Sequence, residues 1–155
     1  MTRRMLPDGF ELDDDPERVD VDAVHAFISE ESYWGRGRPR ELVQRAIRGS
    51  ARVVGLYREG AQVGFARVAS DEAIVAYLAD VYVLEPHRGR GLGLELVREL
   101  VDNGPHAKLT WLLHTDGADG LYAKLGFRGQ SVYPLMERRR AKVAGEAPYD
   151  DESAL

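Results

Sequence analysis

The sequence predicts a single α/β domain in which strands and amphipathic helices follow one another along the chain. Its 155 residues have the length of one ordinary domain, and no internal repeat or linker divides them. Segments rich in β-branched and aromatic residues alternate with segments whose apolar residues recur at helical spacing. The predicted order is one strand, two helices, three strands, a helix, a strand, a helix and a final strand.

The N-terminal half predicts a strand, two helices and a hairpin. Residues 9–15 form the first candidate strand. The first helix begins at Asp20 or Asp22, because either side chain can cap the free N–H groups of its first turn. Pro39 suits the first turn of the second helix. Two strands follow, and the turn at 58–61 joins them as an antiparallel hairpin.

The C-terminal half predicts three further strands and two helices. The long segment 73–84 has a strand pattern, and residues 91–103 return to helical spacing. Residues 108–115 form a candidate buried strand, and the short helix after it stops at Gly126. Residues 131–139 form the last candidate strand, which their proline limits to a sheet edge or a bulge.

Composition excludes several classes of protein. The absence of cysteine excludes disulfides, thiolate catalysis and cysteine zinc sites. No apolar run approaches the roughly 20 residues that cross a bilayer, and the N-terminus has no apolar signal segment. We therefore expect a cytoplasmic protein that has no membrane partner.

The net charge of −5 is concentrated at the two ends of the chain. Residues 1–22 carry eight acids and three arginines, and residues 144–155 carry four acids and no base. We therefore expect one domain over 1–143 and an acidic, flexible tail over 144–155. The body can hold a phosphate-rich ligand, but it has no dense basic stripe, so nucleic acid is not an expected partner.

The strongest chemical signal lies where the long strand passes into the following helix. Gly89, Gly91 and Gly93 occupy this turn, and the helix opens at about Gly91. The first N–H groups of a helix are unpaired and carry partial positive charge. Glycines let them approach an anion closely, and Arg88 and Arg90 add full charges. The turn therefore predicts a phosphate or pyrophosphate site.

Two common phosphate motifs do not fit this turn. The dinucleotide fingerprint requires a glycine where Leu96 stands, and the P-loop requires a lysine where Leu94 stands. The pattern Arg88-x-x-Gly91-x-Gly93 instead resembles the [Q/R]-x-x-G-x-[G/A] motif of the GNAT superfamily of N-acetyltransferases. In that family the loop amides hold the pyrophosphate of acetyl-CoA.

A second segment resembles the same family at the expected distance downstream. Ala118-x-x-Leu121-Tyr122-x-x-x-Gly126-Phe127 is similar to its A-x-x-L-Y-x-x-x-G-F segment. The resemblance implies a mixed, mostly antiparallel central sheet of six to seven strands flanked by about four helices. It also implies acetyl-CoA as co-substrate and a possible homodimer. No metal is needed, and the four histidines show no metal-ligand spacing.

The resemblance also assigns residues to acetyl-CoA. Residues 81–83 would follow the pantetheine arm, with the Val83 N–H on the acetyl carbonyl, and the glycine turn would wrap the pyrophosphate. This strand and the strand at 108–115 would splay apart around the thioester. The implied cofactor residues are Val81, Tyr82, Val83, Arg88, Gly89, Arg90, Gly91, Leu92, Gly93, Leu94 and Thr115.

The implied reaction is direct attack of a neutral amine on the thioester. Tyr122 matches the tyrosine that can protonate the leaving thiolate in many members. Thr110 stands where protein-N-terminal acetylating members often carry a glutamate, and Thr115 stands at a frequent asparagine position. These departures argue against a ribosomal-protein acetyltransferase, and the expected acceptor is a small-molecule amine. The alternatives are a protein lysine or N-terminus as acceptor, or a CoA-binding regulatory module that does not turn over.

The acceptor side leaves several interpretations open. Asp80 is a carboxylate in an apolar strand, which costs several kcal/mol unless it is paired. It is therefore an amine ligand, a general base or half of a structural ion pair. His114 can titrate near neutrality, although its place at a strand end favours packing or solvent contact. Tyr33 and Trp34 would form the wall of the acceptor pocket, or simply pack.

Overall fold

The structure, a computed structural model, describes residues 1–129 and 132–149. The chain forms two units that interleave in sequence. The first combines Met1–Val19 with Gly49–Ser131, and the second combines Asp20–Arg48 with Val132–Leu155. The sheet and the predicted cofactor turn belong to the first unit.

A six-stranded sheet forms the first unit, and its strands lie side by side in chain order. All neighbours pair antiparallel except the last two, which pair parallel. The predicted mixed, mostly antiparallel sheet is therefore confirmed. The strands are β1 (Arg3–Met5), β2 (Phe10–Asp13), β3 (Arg52–Arg58), β4 (Ala61–Ser70), β5 (Val75–Val83) and β6 (Thr110–Leu112).

Four α-helices accompany the sheet in the described part of the chain. They are α1 (Val21–Ala26), α2 (Arg40–Arg48), α3 (Leu92–Val101) and α4 (Asp119–Ala123). The first two belong to the second unit, and the last two belong to the first unit. Over residues 1–129 and 132–149, no helix is long and apolar enough to cross a membrane.

The core of the first unit lies between one face of the sheet and α3. Leu12, Leu56 and Val68 of the strands are buried together with Leu96 and Leu100 of the helix. Each such side chain contributes roughly 1.5–3 kcal/mol when it leaves water. This packing fixes α3 against the sheet, so the N-terminus of α3 stays at the end of β5.

The turn between β3 and β4 lies where the sequence predicts it. Arg58 pairs with Ala61, and Glu59 and Gly60 between them have φ values of 51° and 81°. Two consecutive residues with positive φ give a turn whose twist matches that of the strands. The predicted hairpin is confirmed.

The structure contains a first strand, β1, that the sequence analysis does not predict. It pairs with β2 over only three residues, and its side chains do not alternate between apolar and polar. Arg4 holds it instead, because its guanidinium reaches Glu99 at 2.9 Å and Glu95 at 3.2 Å on α3. These contacts span more than ninety positions along the chain, so no local pattern predicts them.

The last predicted strand, 131–139, is wrong over the part that the structure describes. Residues 132–139 form no strand, and Ser131 lies outside the described residues. Pro134 has no N–H for a ladder. Val132, Tyr133 and Met136 are 82–94% exposed, so no apolar face is buried that would reward strand formation.

The second unit begins with the predicted helix. The Asp20 side chain accepts a hydrogen bond from the Ala23 N–H at 3.0 Å, so Asp20 is the cap. The helix continues as a wider π-turn over Phe27–Glu31. Within and just beyond this turn, the hydroxyls of Ser29 and Ser32 donate to carbonyls four residues earlier, at 2.6 Å each. Such bonds compete with the regular helical ladder.

The start of the predicted acidic tail is in contact with the rest of the second unit. The Ala147 N–H donates to the Arg36 carbonyl at 2.9 Å. The buried Glu146 carboxylate accepts two hydrogen bonds from Arg140, at 2.6 and 3.0 Å. Residues 150–155 of the predicted tail lie outside the described residues.

Candidate active site

The pairing of β4 with β5 is interrupted at Asp80. Phe65 lies opposite Tyr82, but Arg67 lies opposite Ala79, so β5 contains one extra residue. Asp80 has a φ of 54°, in the left-handed region. A bulge of this kind bends the strand and increases its twist. The last residues of β5 therefore run in a different direction just before the glycine turn.

A gap opens between β5 and its parallel neighbour β6. The two strands pair only from Val75 with Thr110 to Tyr77 with Leu112. β5 then continues to Val83, whereas β6 ends. The final part of β5 is therefore not paired with β6 on that side. This agrees with the expected splay of the two strands.

The direction of the Val83 N–H follows from the hydrogen bond of the next residue, Leu84. The Leu84 N–H donates to the Val63 carbonyl of β4 at 2.8 Å. Successive N–H groups of an extended chain point to opposite edges, so that alternate residues bond to the same neighbour. The Val83 N–H therefore points away from β4, toward the gap.

The glycine turn forms an open cradle at the N-terminus of α3. Gly89 and Gly91 have φ values of 79° and 76°, which glycine adopts without strain. No heavy atom lies within 4 Å of the position that a Cβ would take at either residue. Gly91 is the N-cap, and no side chain caps the helix there. The first amides of α3 can therefore serve an anion.

Two arginines flank this cradle. Arg88 donates from Nε to the Val83 carbonyl at 2.8 Å, which ties the turn to the end of β5. The Arg90 guanidinium lies 6.0 Å from the ring centre of Phe10. Both arginines are exposed. They give the cradle positive charge in addition to the helix dipole.

The helix that carries Tyr122 packs against the start of α3. A Cβ built on Gly93 would lie 3.3 Å from Cδ1 of Leu121, the residue before Tyr122. The Tyr122 ring is half-buried and makes an edge contact with Phe127 at 5.9 Å. α4 ends at Ala123, and the turn that follows it closes at Gly126, the predicted stop, which has a φ of 86°. The structure thus brings the two predicted motifs together.

Asp80 forms an ion pair across the bulge. Its carboxylate accepts a hydrogen bond from Nε of Arg67 at 2.6 Å, and the two side chains are 7% and 17% exposed. Of the three interpretations of Asp80, the structure displays the ion pair. A role for this carboxylate as base or amine ligand stays a prediction, and in that role it would have to give up or share Arg67.

Sequence reasoning missed one partner of His114. The Tyr77 hydroxyl lies 2.5 Å from Nδ1 of His114, with the rings 5.6 Å apart. Parallel pairing of segments 73–84 and 108–115 would have been the signal, because it brings their polar residues to one edge. Thr115 follows His114, and its hydroxyl accepts a hydrogen bond from Ala118 at 3.3 Å.

Other predicted cofactor residues lie at the end of β5 and at the start of α3. The side chains of Val81 and Val83 pack on the core cluster, as does Leu92 at the start of α3. Tyr82 is buried, and its ring is 6.5 Å from that of Phe65. These residues can therefore offer backbone groups to a ligand more readily than side chains.

Tyr33 and Trp34 belong to the second unit. Their rings meet edge to face at 5.0 Å, and Trp34 also lies 6.2 Å from Phe27. Tyr33 is 50% exposed. Their predicted place in the acceptor pocket stays a prediction.

Comparison with known proteins agrees with this architecture. Residues 22–127 match the profile of the acetyltransferase (GNAT) family. A candidate acetyltransferase of Gibberella zeae is 33% identical over 145 residues, covering 79% of this chain and 81% of its own. These matches define an acyltransferase of the acetyl-CoA-dependent class.

Solved structures show the same fold. A candidate GNAT acetyltransferase of Xanthomonas campestris pv. campestris superposes with a TM-score of 0.79 and 39% identity, covering 84% of this chain and 93% of its own. An aminoglycoside acetyltransferase from a soil metagenome has a TM-score of 0.59 and 19% identity, covering 84% and 99%. The chain belongs to the GNAT family of acetyltransferases, as the sequence motifs predict.

Proposed function

We propose that the protein transfers an acetyl group from acetyl-CoA to a primary amine of a small molecule by direct attack. The observation that carries the proposal is the open cradle at Gly89 and Gly91, adjacent through Gly93 and Leu121 to the helix of Tyr122. The residues proposed to bind the pyrophosphate and to donate the proton therefore lie on neighbouring elements, which supports the proposal.

The residues present fit acetyl-CoA. When bound, it supplies an acetyl thioester as the acyl donor. The amides that open α3, together with Arg88 and Arg90, would hold its pyrophosphate. Thr115 and the backbone of 81–83 would line the arm between pyrophosphate and thioester. The requirement for no metal stays a prediction.

Two groups of this chain would act on the reacting atoms. The Val83 N–H, which points toward the gap, would donate to the carbonyl oxygen as negative charge develops there. The Tyr122 hydroxyl would give its proton to the departing sulfur, because an ordinary phenol, with a pKa of about 10, stays protonated at neutral pH. Neither step forms a covalent bond to the protein.

A small-molecule acceptor is favoured by Thr110 and Thr115. The Thr110 hydroxyl cannot replace the carboxylate that protein-N-terminal acetylating members often carry there, and the Thr115 hydroxyl cannot replace the amide of the asparagine that is frequent in the family. The aminoglycoside acetyltransferase shows only that the fold accommodates one such amine. A protein acceptor, or CoA binding without turnover, would be distinct outcomes of the test.

The test incubates the protein with acetyl-CoA and a panel of amines. The panel contains kanamycin, glucosamine, spermidine, lysine and a peptide with a free N-terminus. Release of free thiol and a mass increase of the acceptor by one acetyl group are measured together. Thiol release that depends on a small amine supports the proposal. Acetylation of the peptide alone, or CoA binding without any turnover, overturns it.

A further inference from the structure

The ion pair between Arg67 and Asp80 lies on the face of the sheet that is turned away from α3. Ala66 and Val68, the neighbours of Arg67 along β4, are buried in the core cluster that α3 covers. Side chains alternate along a strand, so Arg67 projects from the opposite face. Its partner across the ladder on β3 is Val53, which is 5% exposed. The guanidinium therefore starts from an apolar surface, on the strand next to β5.

The bulge in β5 brings the carboxylate of Asp80 to the same face. Leu78 and Val81 both contact the core cluster, and with regular alternation from Leu78 the Asp80 side chain would project into that cluster as well. The extra residue at Asp80, with its φ of 54°, changes the alternation. The carboxylate lies instead 2.6 Å from Nε of Arg67. Backbone outliers of this kind cluster at functional sites.

The bond to Asp80 leaves most donors of the Arg67 guanidinium unused. A guanidinium carries five N–H donors in a fixed fork, and Asp80 accepts from Nε. Within the described part of the chain, the two terminal nitrogens of Arg67 bond to no other residue, and they are not sealed from solvent. The whole side chain is 17% exposed. Asp80 therefore fixes the direction of a fork whose outer donors can bind a solute.

The geometry favours a carboxylate as that solute. The fork of a guanidinium matches the two oxygens of a carboxylate, and apolar surroundings strengthen the attraction between the charges. One guanidinium can serve two carboxylates in this fold, because Arg18 bonds to both Glu11 and Asp13, with Arg3 as a second partner of Glu11. A phosphate carries a charge of about −1.5 to −2, and it would lie beside Asp80 with one guanidinium to balance both groups.

The ion pair lies close to the proposed reaction centre. Asp80 precedes Val83 by three residues, or at most about 10 Å of extended chain, and both lie on the part of β5 beyond its pairing with β6. An acceptor whose amine meets the thioester near the Val83 N–H can therefore reach Arg67 with a second group. Because the Asp80 carboxylate is engaged, a cationic second group would be repelled by Arg67, whereas an anionic one would be bound.

We infer that Arg67, oriented by Asp80, binds a carboxylate of the acceptor, so that the acceptor is an amino acid: a small molecule that carries both a primary amine and a carboxylate. The inference rests on the proposed function and narrows it. Arg67 contacts the substrate directly, and Asp80 acts through Arg67 as a positioning residue. Aminoglycosides and polyamines carry further ammonium groups in place of the carboxylate, so they are poor acceptors.

Acceptors that differ only in the carboxylate test the inference. The wild type is assayed with acetyl-CoA and the standard L-amino acids, together with 6-aminohexanoate, and the best acid is then compared with its own amide. Hydrogen bonds between charged groups should make kcat/KM for the acid about tenfold or more above that for the amide. An amide that is accepted as well as its acid overturns the inference, as does a preference for glucosamine 6-phosphate or spermidine over every amino acid.

Variants of Arg67 assign this preference to the guanidinium. In Arg67→Gln the ratio of the kcat/KM values for acid and amide should fall close to one, while the KM for acetyl-CoA stays unchanged. Arg67→Lys keeps the charge without the fork, so it should keep part of the ratio. Arg48→Gln, at an exposed arginine of α2, is the control and should leave the ratio unchanged. An Arg67→Gln variant that keeps the full ratio overturns the inference.

The ratio of two acceptors separates substrate binding from stability, because partial unfolding lowers both rates equally. If Arg67→Gln does not fold, the double variant of Arg67→Met with Asp80→Asn removes both charges together and is measured in the same way. It too should lose the preference for the acid. A double variant that keeps the full ratio overturns the inference.

The two proposals fail in different ways. A wild type that acetylates no amine contradicts the proposed function, and the Tm in the presence of CoA then still tests the carboxylate site. Each amino acid should raise the Tm more than its amide, and the difference should vanish in Arg67→Lys or shrink. Equal shifts for acids and amides in the wild type overturn the inference. An active wild type that shows no preference for the acid overturns the inference alone.

Discussion

Gly91 is the residue on which the cofactor assignment depends most directly. Gly91→Asp would place a negative charge in the cradle, so the affinity for acetyl-CoA should fall at least tenfold, or about 1.4 kcal/mol. Gly60→Asp is a matched control, because Gly60 also has a positive φ, of 81°, and open space around its Cβ position. Calorimetric titration measures the affinity of both variants for acetyl-CoA. A folded Gly91→Asp variant with wild-type affinity would remove the assignment.

Tyr122 makes a packing contact and has a proposed chemical role as proton donor. Tyr122→Phe deletes only the hydroxyl, and the ring can keep its contact with Phe127. A positioned acid contributes roughly 10²- to 10⁴-fold. Because water can partly replace it, we expect kcat to fall about tenfold or more, while the Kd of CoA and the Tm stay near the wild type. Steady-state measurement of kcat for Tyr122→Phe and the wild type tests this expectation. Unchanged kcat would leave the tyrosine with a packing role.

Asp80 and Arg67 offer a test of the ion pair. Asp80→Asn keeps the shape, and asparagine tolerates a positive φ, but Arg67 would remain 17% exposed beside a neutral amide. Breaking a buried pair on one side costs about 3–5 kcal/mol. Because this pair is part-buried, urea unfolding should show a smaller loss, of roughly 1–3 kcal/mol. Arg67→Met with Asp80→Asn should recover part of it. Wild-type stability with reduced turnover would instead support a role in acceptor binding.

The sequence proposes roles for some single residues and misses the contacts of others. Gly91 and Tyr122 belong to local motifs that resemble those of the GNAT family, so the resemblance alone proposes their roles. The contact of Asp80 with Arg67 depends on a bulge that shifts the register by one residue. The contact of Tyr77 with His114 joins residues 37 positions apart. No local pattern encodes either contact.

At the scale of elements, the loop before β5 is organised by one carboxylate. The Asp71 side chain accepts hydrogen bonds from the N–H groups of Ala73, Ile74 and Val75 at 2.9–3.0 Å. These bonds, with Ile74 as the largest cause, lower the pKa of Asp71 to about 2. The loop therefore sets where the last antiparallel strand begins.

The pH dependence of Asp71 follows from the sign of this shift. Its pKa in the folded protein lies below the ordinary value of 3.8, so its contribution is present above about pH 4 and is lost as the pH falls toward 2. Asp71→Asn should lower the Tm by a few degrees at pH 7. In urea unfolding the difference from the wild type should shrink between pH 4 and 2.5. A difference that stays constant over this range would contradict the assignment.

Elements with their own local signals were predicted correctly. The turn at 58–61, the cap at Asp20 (one of the two predicted caps) and the turn after α4 that closes at Gly126 each depend on a few adjacent residues. Tertiary contacts decide the other two cases. β1 forms without a strand pattern because Arg4 binds α3, and residues 132–139 form no strand because their apolar side chains stay exposed. The π-turn after α1 depends on two serine hydroxyls that bond to the helix itself.

At the scale of the whole molecule, the acidic net charge does not oppose binding of an anionic cofactor. The chain carries −5 overall, but the acids are concentrated in residues 1–22 and 144–155. Arg88 and Arg90 are exposed at the cradle. Arg88 donates from Nε to the Val83 carbonyl, and the two terminal nitrogens of its guanidinium are further donors that an anion can accept from. We therefore expect the local potential at the cradle, and not the pI, to govern the proposed recognition of the pyrophosphate.

Ligand-linked stability tests this recognition on the intact protein. A ligand that binds only the folded state adds about 2.7 kcal/mol at a concentration of 100 times its Kd. For a chain of this size, each kcal/mol raises the Tm by about 2–4 °C, so saturating CoA should raise it by about 5–10 °C. Dephospho-CoA, which keeps the pyrophosphate, should act similarly. Pantetheine, which lacks it, should give a much smaller shift.

The same measurement separates cradle binding from unspecific charge effects. Gly91→Asp should lose most of the shift with CoA, whereas Gly60→Asp should keep it, because only the first glycine lies at the N-terminus of α3. Inorganic pyrophosphate should compete with CoA in the wild type, and the shift should weaken as salt screens the arginines. If pantetheine stabilised the protein as strongly as CoA, the gap beside β5 would carry the affinity and the glycine cradle would not.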